Sequence, residues 1–170
     1  MDDIEIPNGA NVRVEGTKVT VSGPKGNSER DFSVRGLVIT HSGSKIEVGK
    51  SEGSKIGLMM INTTKAHIRN MLIGATEGYS RKMQVIYSHF PMTLEVKGKV
   101  LLIKNFLGEK QPRTAKIIGQ TKVEVKLPDV TLSGPNKEEV GETYSNIRTA
   151  SKIRHRDPRV FQDGIYPVQE

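Results

Sequence analysis

The sequence predicts an α+β protein of two similar domains from an internal duplication, each a mainly antiparallel sheet with a helix packed on one face. Three observations carry that reading. β-Branched and polar residues alternate between glycine-rich turns, apolar residues recur every fourth position in two later stretches, and the order strands-then-helix occurs twice. A length of 170 residues allows one ordinary domain or two small ones, so the internal pattern decides.

Val12 and Val14, then Val19 and Val21 with Gly16 between, read as a β-hairpin, and Ser22-Gly23-Pro24-Lys25-Gly26 is a concentrated turn signal after it. Further strands are expected at Phe32–Val34, Leu37–His41 and Lys45–Val48. From about Ile56 to Thr76 the spacing becomes helical, with Met60, Thr64, Ile68 and Leu72 on one stripe widened by Ile61, Met71 and Ala75, and with Gly78 placed to end it. Asn62 or Thr63 is an alternative start for a shorter helix.

The second half repeats this order. Val12–Val21 resembles Leu94–Ile103, and Ser44–Val48 resembles Thr121–Val125. Asn136 followed by Glu139 is a capping-box-like start for a second helix, whose face runs through Val140, Tyr144, Ile147 and Ala150 or Ser151. Glu138, Glu139 and Glu142 lie near its start and Arg148, Lys152 and Arg154 near its end, which suits the helix dipole. The expected divisions are residues 1–80, 81–153 and a basic C-terminal tail at 154–170.

Twenty-six Lys and Arg against 19 Asp and Glu give a formal charge of +7, a folded surface with a basic surplus that favours polyanions such as nucleic acid or an anionic membrane. The absence of cysteine excludes disulfides, thiolate metal sites and a cysteine nucleophile. The acidic start, with Asp2, Asp3 and Glu5, does not read as a targeting peptide, and the apolar stretch Ile56–Ile61 is too short to span a bilayer. A cytosolic protein is expected, and the Asn62-Thr63-Thr64 glycosylation pattern is read as accidental. None of His41, His67, His89 and His155 has a second metal ligand at a recognised spacing, and no nucleophile elbow or defensible carboxylate pair occurs. Neither a catalytic residue, a metal nor a cofactor is expected.

Two glycine-rich turns could face an anion. For Ser22–Gly26 a plain hairpin connection is the better reading. For Ser133-Gly134-Pro135-Asn136-Lys137, which leads into a helix N-terminus, phosphate contact through Lys137 and a structural connection stand side by side. The segment from Lys104 and Asn105 through Lys110 to Arg113 places cations and an amide around a turn, where they can grip RNA phosphate and sugar or form a solvated hairpin tip. Beyond the second helix, Lys152, Arg154, His155, Arg156 and Arg159 form a basic run that Pro158 keeps from simple helical continuation. It ends in Phe161, Ile165 and Tyr166, which need packing or stacking partners; Phe161 is assigned to packing. The run is expected to order on binding.

The stretch Arg156-Asp157-Pro158-Arg159-Val160-Phe161-Gln162-Asp163-Gly164-Ile165-Tyr166 resembles the signature of the universal L-six family of large-subunit ribosomal proteins, in its archaeal and eukaryotic form. Ala66–Met71, Gly74–Tyr79, His89-Phe90-Pro91 and Asn105–Lys110 resemble further family segments in the same order, so the resemblance covers essentially the whole chain. It departs at Glu142, where the family usually has Gln, and at Pro167, where an aliphatic residue is usual.

This resemblance implies two duplicated domains and a structural role in the cytoplasmic large ribosomal subunit. It implies binding to large-subunit ribosomal RNA close to the sarcin-ricin loop and the landing site of translational GTPases, mainly through the second domain and tail. Neighbouring ribosomal proteins are implied partners, while membrane and DNA are not. Carried over, the RNA contacts are Lys104, Asn105, Lys110, Arg113, Lys137, Arg148, Lys152, Arg154, His155, Arg156 and Arg159. The competing readings are an adaptor that binds protein along a sheet edge and, behind it, a small phosphate- or nucleotide-processing enzyme using the Ser133–Lys137 turn.

Overall fold

The computed structural model describes residues 4–168 apart from Glu52, Ile56, Ser88, His155 and Pro158. The chain forms two compact units, one running to Gly78 and including Pro135–Lys137, the other made of Tyr79–Gly134 and the chain from Glu138 onward.

In the first unit, β1 (Ile4–Glu5), β2 (Asn11–Glu15), β3 (Lys18–Gly23), β4 (Gly26–Asp31), β5 (Leu37–Ser42) and β6 (Lys45–Lys50) precede α1 (Leu58–Thr76). They make two antiparallel sheets, ordered β2-β3-β4 and β1-β6-β5. The alternation seen in the sequence is the reason for the faces. Val19 and Val21 of β3 and Ile46 and Val48 of β6 turn into the core, where they meet Ile68, Met71, Leu72 and Ala75 of α1.

In the second unit, β7 (Tyr79–Ile86), β8 (Thr93–Lys97), β9 (Val100–Lys104), β10 (Arg113–Lys116), β11 (Lys122–Lys126) and β12 (Asp129–Gly134) precede α2 (Lys137–Ala150) and β13 (Gly164–Pro167). Their sheets are ordered β8-β9-β10 and β11-β12-β7-β13. With β13 set aside, each unit holds a three-strand meander, a second sheet with the unit's last strand in the middle, and then a helix. The duplication is therefore a property of the fold. It equates β2–β3 with β8–β9, in agreement with the match of Val12–Val21 to Leu94–Ile103. The second sequence match is out of register, however, because Ser44–Val48 leads into and occupies the central strand β6 whereas Thr121–Val125 leads into the edge strand β11. Both are Lys-x-Glu-Val alternations, a pattern any half-exposed strand can carry.

Other expectations moved as well. The strand expected at Phe32–Val34 is in fact β4, just before it; β4 is polar and invisible to an apolar pattern, while Phe32 is buried in a non-strand turn. α1 begins after Gly57, so neither Asn62 nor Thr63 caps it, and Ile56 lies outside the described residues. Gly78 does end it, with φ +79° and its N–H donating to the Ile73 carbonyl at 3.2 Å. The Ser22–Gly26 turn also serves that helix end, since the Lys25 N–H donates to the Ala75 carbonyl at 3.0 Å and a Cβ on Gly23 would come within 2.4 Å of the same oxygen. Finally, the stretch read from the sequence as a tail contains β13, which pairs antiparallel with β7 and buries Ile165. A strand of four residues with Gly at one end and Pro at the other gives almost no pattern. Pro167 is compatible because β13 is an edge strand, where a missing N–H can face outward.

Candidate nucleic-acid interface

The last turn of α2 leaves backbone carbonyls without intrahelical partners, and Arg113 supplies donors to them. Its Nη1 donates to the Ala150 carbonyl at 3.0 Å and to the Lys152 carbonyl at 2.9 Å, while Nε and Nη2 form a fork on the Glu109 carboxylate at 2.8 and 2.6 Å. The guanidinium also lies 4.1 Å from the centroid of the buried Phe106 ring. Arg113 therefore has four of its five N–H donors committed inside the protein. The sequence shows a cation beside a turn but not the helix end that the turn meets. The Arg113 hydrogen bond, and then its charge with that of Arg156, hold the Glu109 carboxyl below the usual carboxylate range.

Asn105 and Lys104 are likewise occupied. Asn105 sits in the left-handed region with φ +58°, a conformation Asn tolerates, and its Nδ2 donates to the Pro91 carbonyl at 3.0 Å. Lys104, at the end of β9, is ion-paired with Glu95, whose pKa is lowered chiefly by that hydrogen bond. Lys110 is exposed beyond this turn.

After α2, residues 161–166 are packed by contacts of their own motif. Asp163, wholly buried, accepts the His89 backbone N–H at 3.3 Å and faces His89 Nδ1 at 3.1 Å. The Phe161 ring lies 4.7 Å from the His89 ring and 4.8 Å from the Arg156 guanidinium carbon. A Cβ on Gly164 would approach the Tyr166 ring to 2.8 Å, so only glycine lets that ring settle there. Ser151, buried at the end of α2, accepts the Ile165 N–H at 3.3 Å and so ties β13 to the helix. The Phe-x-Asp-Gly-x-Tyr pattern and His89 are parts of one packed joint.

The joint presents two open grooves on the two sides of the α2 end. One is lined by Arg113, Thr114 and Lys116 of β10, Asn146 and Thr149 of α2, and Arg154. The other is lined by Arg148, Lys152, Ile153, Arg156, Ile165 and Tyr166. Arg148, Lys152, Arg154 and Arg156 are thus brought together, exposed, around one helix end where the negative pole of the helix does not repel cations. Tyr166, read from the sequence as needing a packing or stacking partner, joins them; so do Lys116 and Asn146, which were not singled out and which only the pairing of β10 with β9, revealed by no local pattern, could have found.

The remaining expected contacts lie elsewhere. Lys137 is at the opposite end of α2, about 20 Å along its axis, with Nζ 3.5 Å from Asn70 Oδ1. Glu139 accepts the Gln120 N–H at 2.8 Å and sits where a side chain on Gly119 would be. Arg159 is exposed in a turn where its N–H donates to Asp157 Oδ1 at 2.9 Å, and His155 lies outside the described residues. Among the described residues no cluster of His, Cys, Asp or Glu could hold a metal ion, and no helix is long and apolar enough to cross a membrane.

Comparison with known proteins agrees with this architecture. The profile of the family described as Ribosomal protein L6 matches residues 6–78 and again 90–164, one match in each half of the chain. A relative from Methanobrevibacter smithii, named large ribosomal subunit protein uL6, is 47% identical over 169 residues, covering 99% of this chain and 95% of its own length. Proteins of the same name from Methanosarcina mazei and Staphylothermus marinus are each 46% identical, covering 98% and 97% of the chain.

Proposed function

Since the chain belongs to the ribosomal protein L6 family of the large ribosomal subunit, we propose that it is a structural RNA-binding constituent of that subunit in the cytoplasm. It grips large-subunit ribosomal RNA beside the sarcin-ricin loop and the translational GTPase site, with neighbouring ribosomal proteins as further partners. The observation that carries this reading is the gathering of Arg148, Lys152, Arg154 and Arg156 around the end of α2, beside the carboxylates Glu109 and Asp163, which are engaged by Arg113 and His89. Exposed cations whose neighbours Glu109 and Asp163 are already engaged by Arg113 and His89 are available to neutralise phosphates. Lys110 and Arg159 extend this surface as outlying phosphate contacts, and Lys104 contributes only when it leaves Glu95.

The test is a filter-binding series at several salt concentrations. Each of R148A, K152A, R154A and R156A is expected to weaken RNA binding and to flatten the log–log salt dependence by roughly one. Unchanged slopes in all of them would remove the helix end from the interface. Nucleotide turnover that disappears in K137A would instead favour a phosphate-processing enzyme.

A further inference from the structure

Resting on that reading, we propose that the groove between the end of α2 and β13 is a pocket for one unstacked nucleotide of RNA, with Tyr166 as the wall on which its base stacks. The groove encloses about 440 Å³, inside the range of roughly 300–1,000 Å³ typical of small-ligand sites. Its walls combine two chemistries. Arg148, Lys152 and Arg156 bring positive charge, while Ile153, Ile165 and the Tyr166 ring supply an apolar lining. A nucleotide has the matching division between an anionic phosphate and a flat base.

The two aromatic rings of the motif have different fates. Phe161 is consumed by His89 and Arg156, the contact that also holds the Arg156 guanidinium at the groove. Tyr166 is seated on Gly164 yet remains 39% exposed at the groove wall, a large ring held in place with surface to spare. β13 fixes it from below, since Tyr166 pairs with Gln84 and Ile165 is anchored through Ser151. Bases within a continuous stack have both faces covered, so a ring in a concave site selects a bulged or splayed nucleotide over a regular stem.

The experiment uses the full chain and two RNA hairpins, identical except for a single bulged 2-aminopurine in one stem, at one fixed salt concentration. The unaltered protein is expected to bind the bulged hairpin about 5- to 150-fold more tightly and to quench the 2-aminopurine. Y166F should retain both effects. Y166L, which keeps bulk over Gly164 but removes the ring, should lose both. Salt-dependent binding without preference for the bulge, or preference and quenching that survive in Y166L, would overturn the nucleotide pocket and leave the proposed function standing. Binding to neither hairpin would overturn the nucleotide pocket, while binding of the large-subunit fragment decides the proposed function separately.

Discussion

Arg113 shows how one side chain can organise a cationic surface from within. Its donors are divided between Glu109 and the carbonyls of Ala150 and Lys152, so it sets where the cationic helix end lies. R113K keeps the charge but loses the fork, and should destabilise the protein by about 2 kcal/mol, read as a lower urea midpoint with an unchanged denaturant slope. The Glu109 partner adds a pH signature. Its pKa in the folded protein is lowered, so the stability it contributes is fully present above its unfolded value of about 4.3 and is lost as pH falls through the folded value. Denaturation of the parent protein and E109Q should therefore differ at pH 7, with the gap narrowing as pH falls below about 4.3; a gap that does not narrow would mean that the ion pair contributes nothing. At Gly164 the demand is steric. G164A meets the Tyr166 ring at 2.8 Å and pushes that partly exposed ring outward, so it should change stability by about 1 kcal/mol or less, visible as a nearly unchanged Tm.

At the scale of elements, what the sequence disclosed followed periodicity. α1, α2 and strands β2, β3, β5 and β6 have apolar positions at regular spacing, because one face of each meets the core. β1, β4 and β13 escaped because they are short or polar and are held by pairing partners that no local pattern identifies, and β7 and β12 went unread although Met83, Val85, Val130 and Leu132 alternate into the core. The candidate site divides the same way. A run of cations after α2 was visible as composition, whereas the commitment of Arg113, Asn105 and Lys104 to Glu109, Pro91 and Glu95 depends on which turns meet. The α2 end should therefore respond as one element. Neutralising Arg148 or Lys152 is expected to lower RNA affinity severalfold, while K137A at the other end leaves it within twofold; equal losses at both ends would spread the interface along the helix.

Across the whole molecule, two units of the same architecture differ beyond their helices. The first unit's helix stops at Gly78, whereas the second continues into a basic segment and an added strand packed through Asp163 and Ile165. Duplication thus accounts for the scaffold, and the appended segment for the asymmetry of charge placement that the RNA reading uses. The most direct test compares the full chain on a large-subunit RNA fragment containing the sarcin-ricin region with an unrelated structured RNA of equal length, across a salt series. Preferential binding to the first, with a log–log slope of roughly −3 to −4 that collapses when Arg148, Lys152, Arg154 and Arg156 are neutralised together, is the predicted result. Equal affinity for both RNAs, or a slope that drops as far when Arg35, Lys50, Lys55 and Lys65 of the first unit are neutralised instead, would contradict it.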